Sequence, residues 1–374
     1  MQNRILILSV FVVASCGLAY ELIAGALSSY LLGDSVLQFS SIIGCYLFAM
    51  GVGSHLSKYV DDRDVLARFI DIELLVGLLG GLSATLLFLL FAWMSAPFRS
   101  ALYALVFALG VLVGMEIPLV MRVLNARQAS FSELVSRVLT FDYLGALAVS
   151  LLFPLVLAPK LGLSRTGFLF GMANVAVALW TLWHYRAEIP GLRPRILRGA
   201  LVMAFLAAGL AGSDRLTRWA EKGLFGDEVI FATTTPYQRL VVTRWKDDTR
   251  LYINGNLQFS SRDEYRYHEA LVHPAMAAHG APKRVAVLGG GDGMAVREIL
   301  KYPSVESVTL VELDPAMTRL FGQDATLRRL NGDALASPKL RVENQDAFQW
   351  LQGTDDMFDV IVVDLPDPTN FAIG

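Results

Sequence analysis

The run Val287-Leu-Gly-Gly-Gly-Asp-Gly293 places glycines at 289, 290, 291 and 293, directly after a strand-like stretch and before a helix-like one. Glycine lets the chain turn tightly and approach a ligand closely. Glu312 ends the next strand-like stretch, 21 residues after Gly291. A carboxylate at that distance can bind both ribose hydroxyls of a nucleoside. The spacing Gly289-x-Gly291-x-Gly293 departs from the dinucleotide pattern Gly-x-Gly-x-x-Gly and favours an S-adenosyl compound over NAD. The competing reading is a tight turn with no ligand.

Further acids follow at the same edge. Asp346 comes just after a strand-like stretch ending at Glu343, where a nucleoside base would lie. The competing reading is a helix N-cap ahead of Ala347–Leu351. Asp364-Leu-Pro-Asp-Pro368 puts Asp364 and Asp367 three residues apart, in a loop stiffened by proline. Such a pair can bind a protonated amine or a metal, or serve as a base; the alternative is an ordinary Asx-Pro turn. Tyr267, His268 and His273 are candidate substrate contacts, although a lone histidine is more often structural. No His/Cys cluster has metal-ligand spacing, so no metal is expected.

The elements that must position these residues read as strands and helices in alternation. Strands are expected at Arg284–Leu288, Ser307–Glu312, Lys339–Glu343 and Phe358–Asp364. Helices are expected at 262–279, Met294–Tyr302, Pro315–Gln323 and Phe348–Gly353. Short strands alternating with helices predict a parallel, doubly wound, Rossmann-like α/β sheet over residues 261–374. Ahead of it, Glu228–Ala232, Gln238–Trp245 and Thr249–Ile253 predict a small β-hairpin region over 228–260, with Lys246-Asp-Asp248 as a turn.

The first half of the chain has a different composition. Hydrophobic residues make up 54% of the 374 residues and charged ones only 18%, below the roughly 25% of an ordinary soluble domain. Seven apolar runs are long enough to cross a bilayer: 5–32, 36–57, 69–93, 101–123, 138–158, 163–184 and 196–212. The first is too long for a signal peptide. A multi-pass α-helical membrane domain over 1–212 is therefore expected, with 213–227 as an amphipathic connector. Residues 1–212 hold 14 Lys/Arg and 11 Asp/Glu, and residues 213–374 hold 18 and 23. Neither half is strongly basic, which argues against nucleic acid as a partner. Cys16 and Cys45 lie in apolar runs and read as small buried hydrophobes.

From about Thr234 onward the chain resembles the spermidine synthase (polyamine aminopropyltransferase) family. The segments that carry the resemblance are Thr235-Pro-Tyr-Gln238, Asn254-Gly-x-x-Gln258, Arg262-Asp-Glu-Tyr-x-Tyr-His-Glu269, Gly289-Gly-Gly-Asp-Gly293, Val311-Glu-Leu-Asp314 and Asp364-x-x-Asp-Pro368. The resemblance implies aminopropyl transfer from decarboxylated S-adenosylmethionine to a polyamine such as putrescine, with methylthioadenosine released and no metal. It implies that Gln238, Gln258 and Glu312 contact the donor, with Asp346 and Ala347 at its adenine. Tyr267, His268 and Asp292 would line the amine channel, Asp364 would accept the proton and Asp367 would hold the diamine. The apolar half is similar to the membrane extension of some bacterial members.

The resemblance also implies further strands and helices after Gly374, so a truncated catalytic half is expected. An unpaired edge at Phe358–Asp364 would favour a homo-oligomer. The alternatives are an S-adenosylmethionine-dependent methyltransferase, favoured less by the Asp364/Asp367 pair, and a polyamine sensor or transporter that binds without turnover.

Glu21, Glu73, Glu116 and Asp142 fall inside the apolar runs. Charge in hydrocarbon is costly, so these acids point either to a polyamine-binding path or to helix packing. The bacterial inner membrane is the expected location. The donor's chemistry expects the catalytic half in the cytoplasm. The Lys/Arg bias of the loops, taken with seven spans, puts it on the other face.

Overall fold

The computed structural model describes residues 2–32, 35–93, 98–125, 131–189 and 191–365. The chain divides into two compact units, with the boundary after Gly226.

The first unit is helical. Its helices are α1 (Gln2–Leu32), α2 (Ser35–Leu56), α3 (Val65–Trp93), α4 (Phe98–Asn125), α5 (Phe131–Leu152), α6 (Leu163–His184) and α7 (Leu192–Phe225). Among the described residues, seven helices are long and apolar enough to cross a membrane. After α5 the coil widens into a π-helix over Phe153–Leu161, a stretch holding Pro154 and Pro159. Proline removes an N–H from the helix ladder, and the altered spacing accommodates the loss.

Each helix contributes to a common core, with Tyr20, Phe69, Ile70, Leu102, Leu119 and Phe168 almost fully enclosed. The outer surface is apolar as well: Phe48 is 67% and Leu155 70% exposed. Helices α3 and α6 approach closely, because a Cβ on Gly171 would stand 2.5 Å from the Gly77 carbonyl oxygen. The 213–227 stretch, expected as a separate connector, is helical as far as Phe225 and continues α7. Its charged residues decorate a helix that the preceding apolar turns have already nucleated.

The second unit has two sheets. Strands β1 (Glu228–Thr234), β2 (Arg239–Trp245), β3 (Asp248–Ile253) and β4 (Asn256–Ser260) form an antiparallel sheet in chain order. Strand β4 is not among the expected strands. Asn254 and Gly255 both have positive φ, at 50° and 82°, and link β3 to β4 in a two-residue hairpin. An Asn-Gly pair is the residue choice that such a turn favours.

Strands β5 (Arg284–Gly289), β6 (Ser307–Val311), β7 (Leu340–Glu343) and β8 (Val360–Asp364) form the expected parallel sheet, in the order β7-β6-β5-β8. Helices α8 (Glu264–His279), α9 (Met294–Ile299), α10 (Pro315–Gln323), α11 (Ala325–Leu330) and α12 (Ala347–Gly353) surround the strands in sequence. Helix α11 is also absent from the expected set; Asp324 caps it through the N–H groups of Thr326 and Leu327. Alternation along β5 buries Val285 and Val287 with α8 and α9, and Ala286 and Leu288 with Trp350 of α12. The chain runs β5, β6, β7 outward and then returns to β8 on the other side of β5. That reversal is a topological switch point, where ligands of such sheets bind.

Candidate functional site

Gly289 pairs with Asp364 in the parallel register of β5 and β8, so both strands deliver their ends to one place. The glycine loop is shaped by the carboxylates beside it. A Cβ on Gly290, whose φ is +67°, would stand 2.6 Å from Asp364 Oδ2. A Cβ on Gly291 would stand 2.7 Å from Glu312 Oε2. Any side chain at either position would displace an acid. Gly289 and Gly293 complete the loop, Gly293 as the residue before α9.

Asp364 is half-buried and accepts a hydrogen bond from the Tyr267 hydroxyl at 2.9 Å. His268 and Asp292, both buried, offer polar atoms that lie with an Asp364 oxygen within 4.8 Å of one another. Burial pushes the Asp364 carboxyl up to about 6, and Asp292 adds to the rise, while Tyr267 and His268 pull it back. Burial likewise raises Asp292, against the pull of His268. Four of the residues expected at a substrate site (Tyr267, His268, Asp292 and Asp364) are thus brought together.

The sequence spacing predicts no metal group, yet folding assembles His268, Asp292 and Asp364 with ligand-type atoms in metal-binding proximity. The same atoms suit a protonated amine, which needs acceptors and negative charge. Asp367 lies outside the described residues.

Sequence reasoning misses what holds His268. Its Nδ1 lies 2.8 Å from Glu264 Oε2, so the proton on that nitrogen is donated to the carboxylate. Arg297 clamps both oxygens of Glu264, at 2.9 and 3.0 Å. Burial opposes charging of His268, but the Glu264 hydrogen bond with Asp292 and Asp364 outweighs it, and the pKa is raised. The i,i+4 spacing of Glu264 and His268 on a helix was the available signal. A second cluster, Glu269, His273 and Glu298, has metal-type proximity too. Its buried member, Glu298, is already paired with Arg297 at 2.9 Å and Lys301 at 2.5 Å.

Glu312 sits across the loop from Asp364. Its Oε2 accepts the Gly291 N–H at 3.0 Å and its Oε1 accepts the Asp314 N–H at 2.9 Å. Burial raises its pKa, partly offset by those two N–H groups. A carboxylate has room for about four hydrogen bonds, so acceptor capacity for two hydroxyls remains.

Gln238 is fixed by Asp314, whose Oδ2 accepts its amide at 3.0 Å and the Thr235 hydroxyl at 2.8 Å. In the sequence Asp314 stands out only as part of a motif. Gln258 is exposed on β4, its amide on the Asn256 carbonyl at 3.4 Å. Asp346 accepts the Gln349 N–H at 3.0 Å and caps α12, which begins at Ala347; the N-cap alternative describes its contact. Asn344, which no sequence motif singles out, donates to the Glu312 carbonyl at 3.1 Å.

The chain is similar to known proteins. The spermine/spermidine synthase domain pattern matches residues 264–373. Polyamine aminopropyltransferase 2 of Ralstonia nicotianae is 70% identical over all of this chain and 74% of its own length. The polyamine aminopropyltransferase of Leptospira interrogans is 53% identical, again over all of this chain and 74% of its own length. This chain belongs to the polyamine aminopropyltransferase family. A spermidine synthase structure from Thermotoga maritima is 29% identical over 38% of this chain and 48% of that one, with a TM-score of 0.36. The chain spans about three quarters of the two curated relatives, and full-length matching of this chain does not by itself bear out the expected truncation.

In this family member, Glu264→Gln should release His268. With the charged partner gone and burial unopposed by it, the His268 pKa should fall. Ring-nitrogen NMR of the full chain checks this; an unchanged titration would show that Glu264 does not hold the ring.

Proposed function

We propose that this chain transfers the aminopropyl group of decarboxylated S-adenosylmethionine to a polyamine such as putrescine, giving spermidine and methylthioadenosine. The observation that carries the reading is the half-buried Asp364 beside Asp292, His268 and Tyr267, across the glycine loop from Glu312.

An amine is protonated at neutral pH and so has no lone pair to attack with. Asp364 accepts one proton from it, and the freed nitrogen attacks the carbon next to the sulfonium. The carbon–sulfur bond breaks, its electron pair stays on sulfur, and the neutral thioether leaves as methylthioadenosine. A carboxyl poised near pH 6 suits proton acceptance, being ionised at neutral pH yet basic enough to take the proton. Tyr267 orients the accepting oxygen, and Asp292 supplies negative charge for the ammonium that waits or leaves. Glu312 holds the ribose hydroxyls, Gln238 and Gln258 lie on the donor's side, and Asp346 with Ala347 stands at the adenine. Asp367 anchors the far ammonium. Alignment of nitrogen with carbon supplies much of the rate.

In our reading this activity belongs to a multi-pass membrane protein. What supports it is the length and composition of the seven helices, together with the exposed Phe48 and Leu155 on the outer surface of the helical unit. The donor nucleoside argues for a catalytic unit in the cytoplasm.

Below pH 6 Asp364 carries a proton and cannot accept another, so kcat/KM should fall on the acid side with an inflection near pH 6. Tyr267→Phe removes the hydrogen bond that favours the ionised form, and its acid limb should move to higher pH. Asp364→Asn should lose about 10²–10⁴-fold in rate while still binding donor. A profile flat through pH 6, or an active Asp364→Asn, would remove Asp364 from the reaction. A topology reporter fused after Arg218 should be active on the cytoplasmic side; activity on the opposite face would follow the loop-charge bias and contradict the cytoplasmic placement.

A further inference from the structure

The helical unit encloses a polar cluster that the transfer reaction does not use. Glu73 of α3 and Glu116 of α4 are 0% and 2% exposed, and their carboxyls lie close enough to interact. Asn174 of α6 donates its amide to Glu73 Oε2 at 2.9 Å. Tyr20 of α1 lies close enough to both acids to interact with them electrostatically.

The cluster is short of donors. Glu73 Oε1, Glu116 Oε1 and Asn174 Oδ1 are buried acceptors with no hydrogen-bond partner, and the Tyr20 hydroxyl is also unpartnered. Leaving such atoms buried without a partner is costly. Among the described residues, none of Glu21, Glu73, Glu116 and Asp142 is in an ion pair with Lys or Arg. Glu21 and Asp142 are only half-buried, on α1 and α5, and Asp142 is near enough to Glu116 for their charges to interact. Acids therefore continue from the enclosed pair toward the surface of the bundle.

We propose that the interior of the helical unit binds a primary alkylammonium group, held by Glu73, Glu116, Asn174 and Tyr20. Three unpartnered acceptor oxygens match the three N–H donors of an –NH₃⁺ group, and its positive charge answers two enclosed acids that have no Lys or Arg partner among the described residues. A calcium-like ion would call for about six to eight oxygens. The choice of a polyamine as the source of that ammonium rests on the aminopropyltransferase reading; the donor shortage does not.

The test is the number of putrescine molecules bound per full chain, measured by equilibrium dialysis in phosphatidylcholine nanodiscs, which contain no lipid amine. Glu73→Gln with Glu116→Gln should bind one putrescine fewer than the wild type and form product at the wild-type rate. Equal binding by the two proteins would overturn the proposal, and so would a second site that takes potassium ions or protons but not putrescine. Loss of product in both proteins would strike the catalytic reading and leave the binding difference standing. Should the double variant fail to fold, Tyr20→Phe, which deletes a single hydroxyl, should weaken the second site about two- to tenfold. Unchanged affinity in Tyr20→Phe would then overturn it.

Discussion

Asp364 keeps its charge at the carboxyl end of β8, where partial burial and a neighbouring aspartate both work against ionisation. Much of the α/β unit can be understood as the means of holding it there. Gly290 has no side chain because the carboxylate fills that space. Tyr267 spends its hydroxyl on one Asp364 oxygen. Against burial, the pKa of His268 beside it is raised by Glu264, Asp292 and Asp364, and Glu264, clamped by Arg297, holds its ring. The outcome is a carboxylate more basic than an exposed aspartate and still ionised at neutral pH.

The helical unit meets a related problem with different means. Its acids have no basic partners among the described residues, and their enclosed oxygens outnumber the donors available. In the α/β unit the opposing charges come from the chain itself, through Arg297, Lys301 and His268. In the helical unit the missing donor must come from outside or be a shared proton. In our reading that difference separates a site that does chemistry from one that holds a cation.

Periodicity and composition make the broad architecture readable. Seven apolar runs become seven helices, because length and hydropathy alone decide what can span a bilayer. The glycine loop and Glu312 are readable because their spacing is set by one strand–helix–strand unit. The small elements are harder. Strand β4 hides behind an Asn-Gly turn that reads as the end of the hairpin region, and α11 follows α10 with a cap but little apolar periodicity. The stretch after Gly212 reads as a connector because its charge rises, yet helix propagation carries α7 to Phe225. Side-chain partnerships are the least readable. Nothing in the local sequence tells that Asp314 holds Gln238, or that Arg297, 33 residues from Glu264, holds the carboxylate that holds His268.

Product formation by the full chain, given decarboxylated S-adenosylmethionine and putrescine, bears most directly on whether Asp364 and its neighbours serve aminopropyl transfer. Spermidine and methylthioadenosine are expected in equal amounts. Binding of the donor without either product, or a methylated product formed from S-adenosylmethionine itself, would contradict that role.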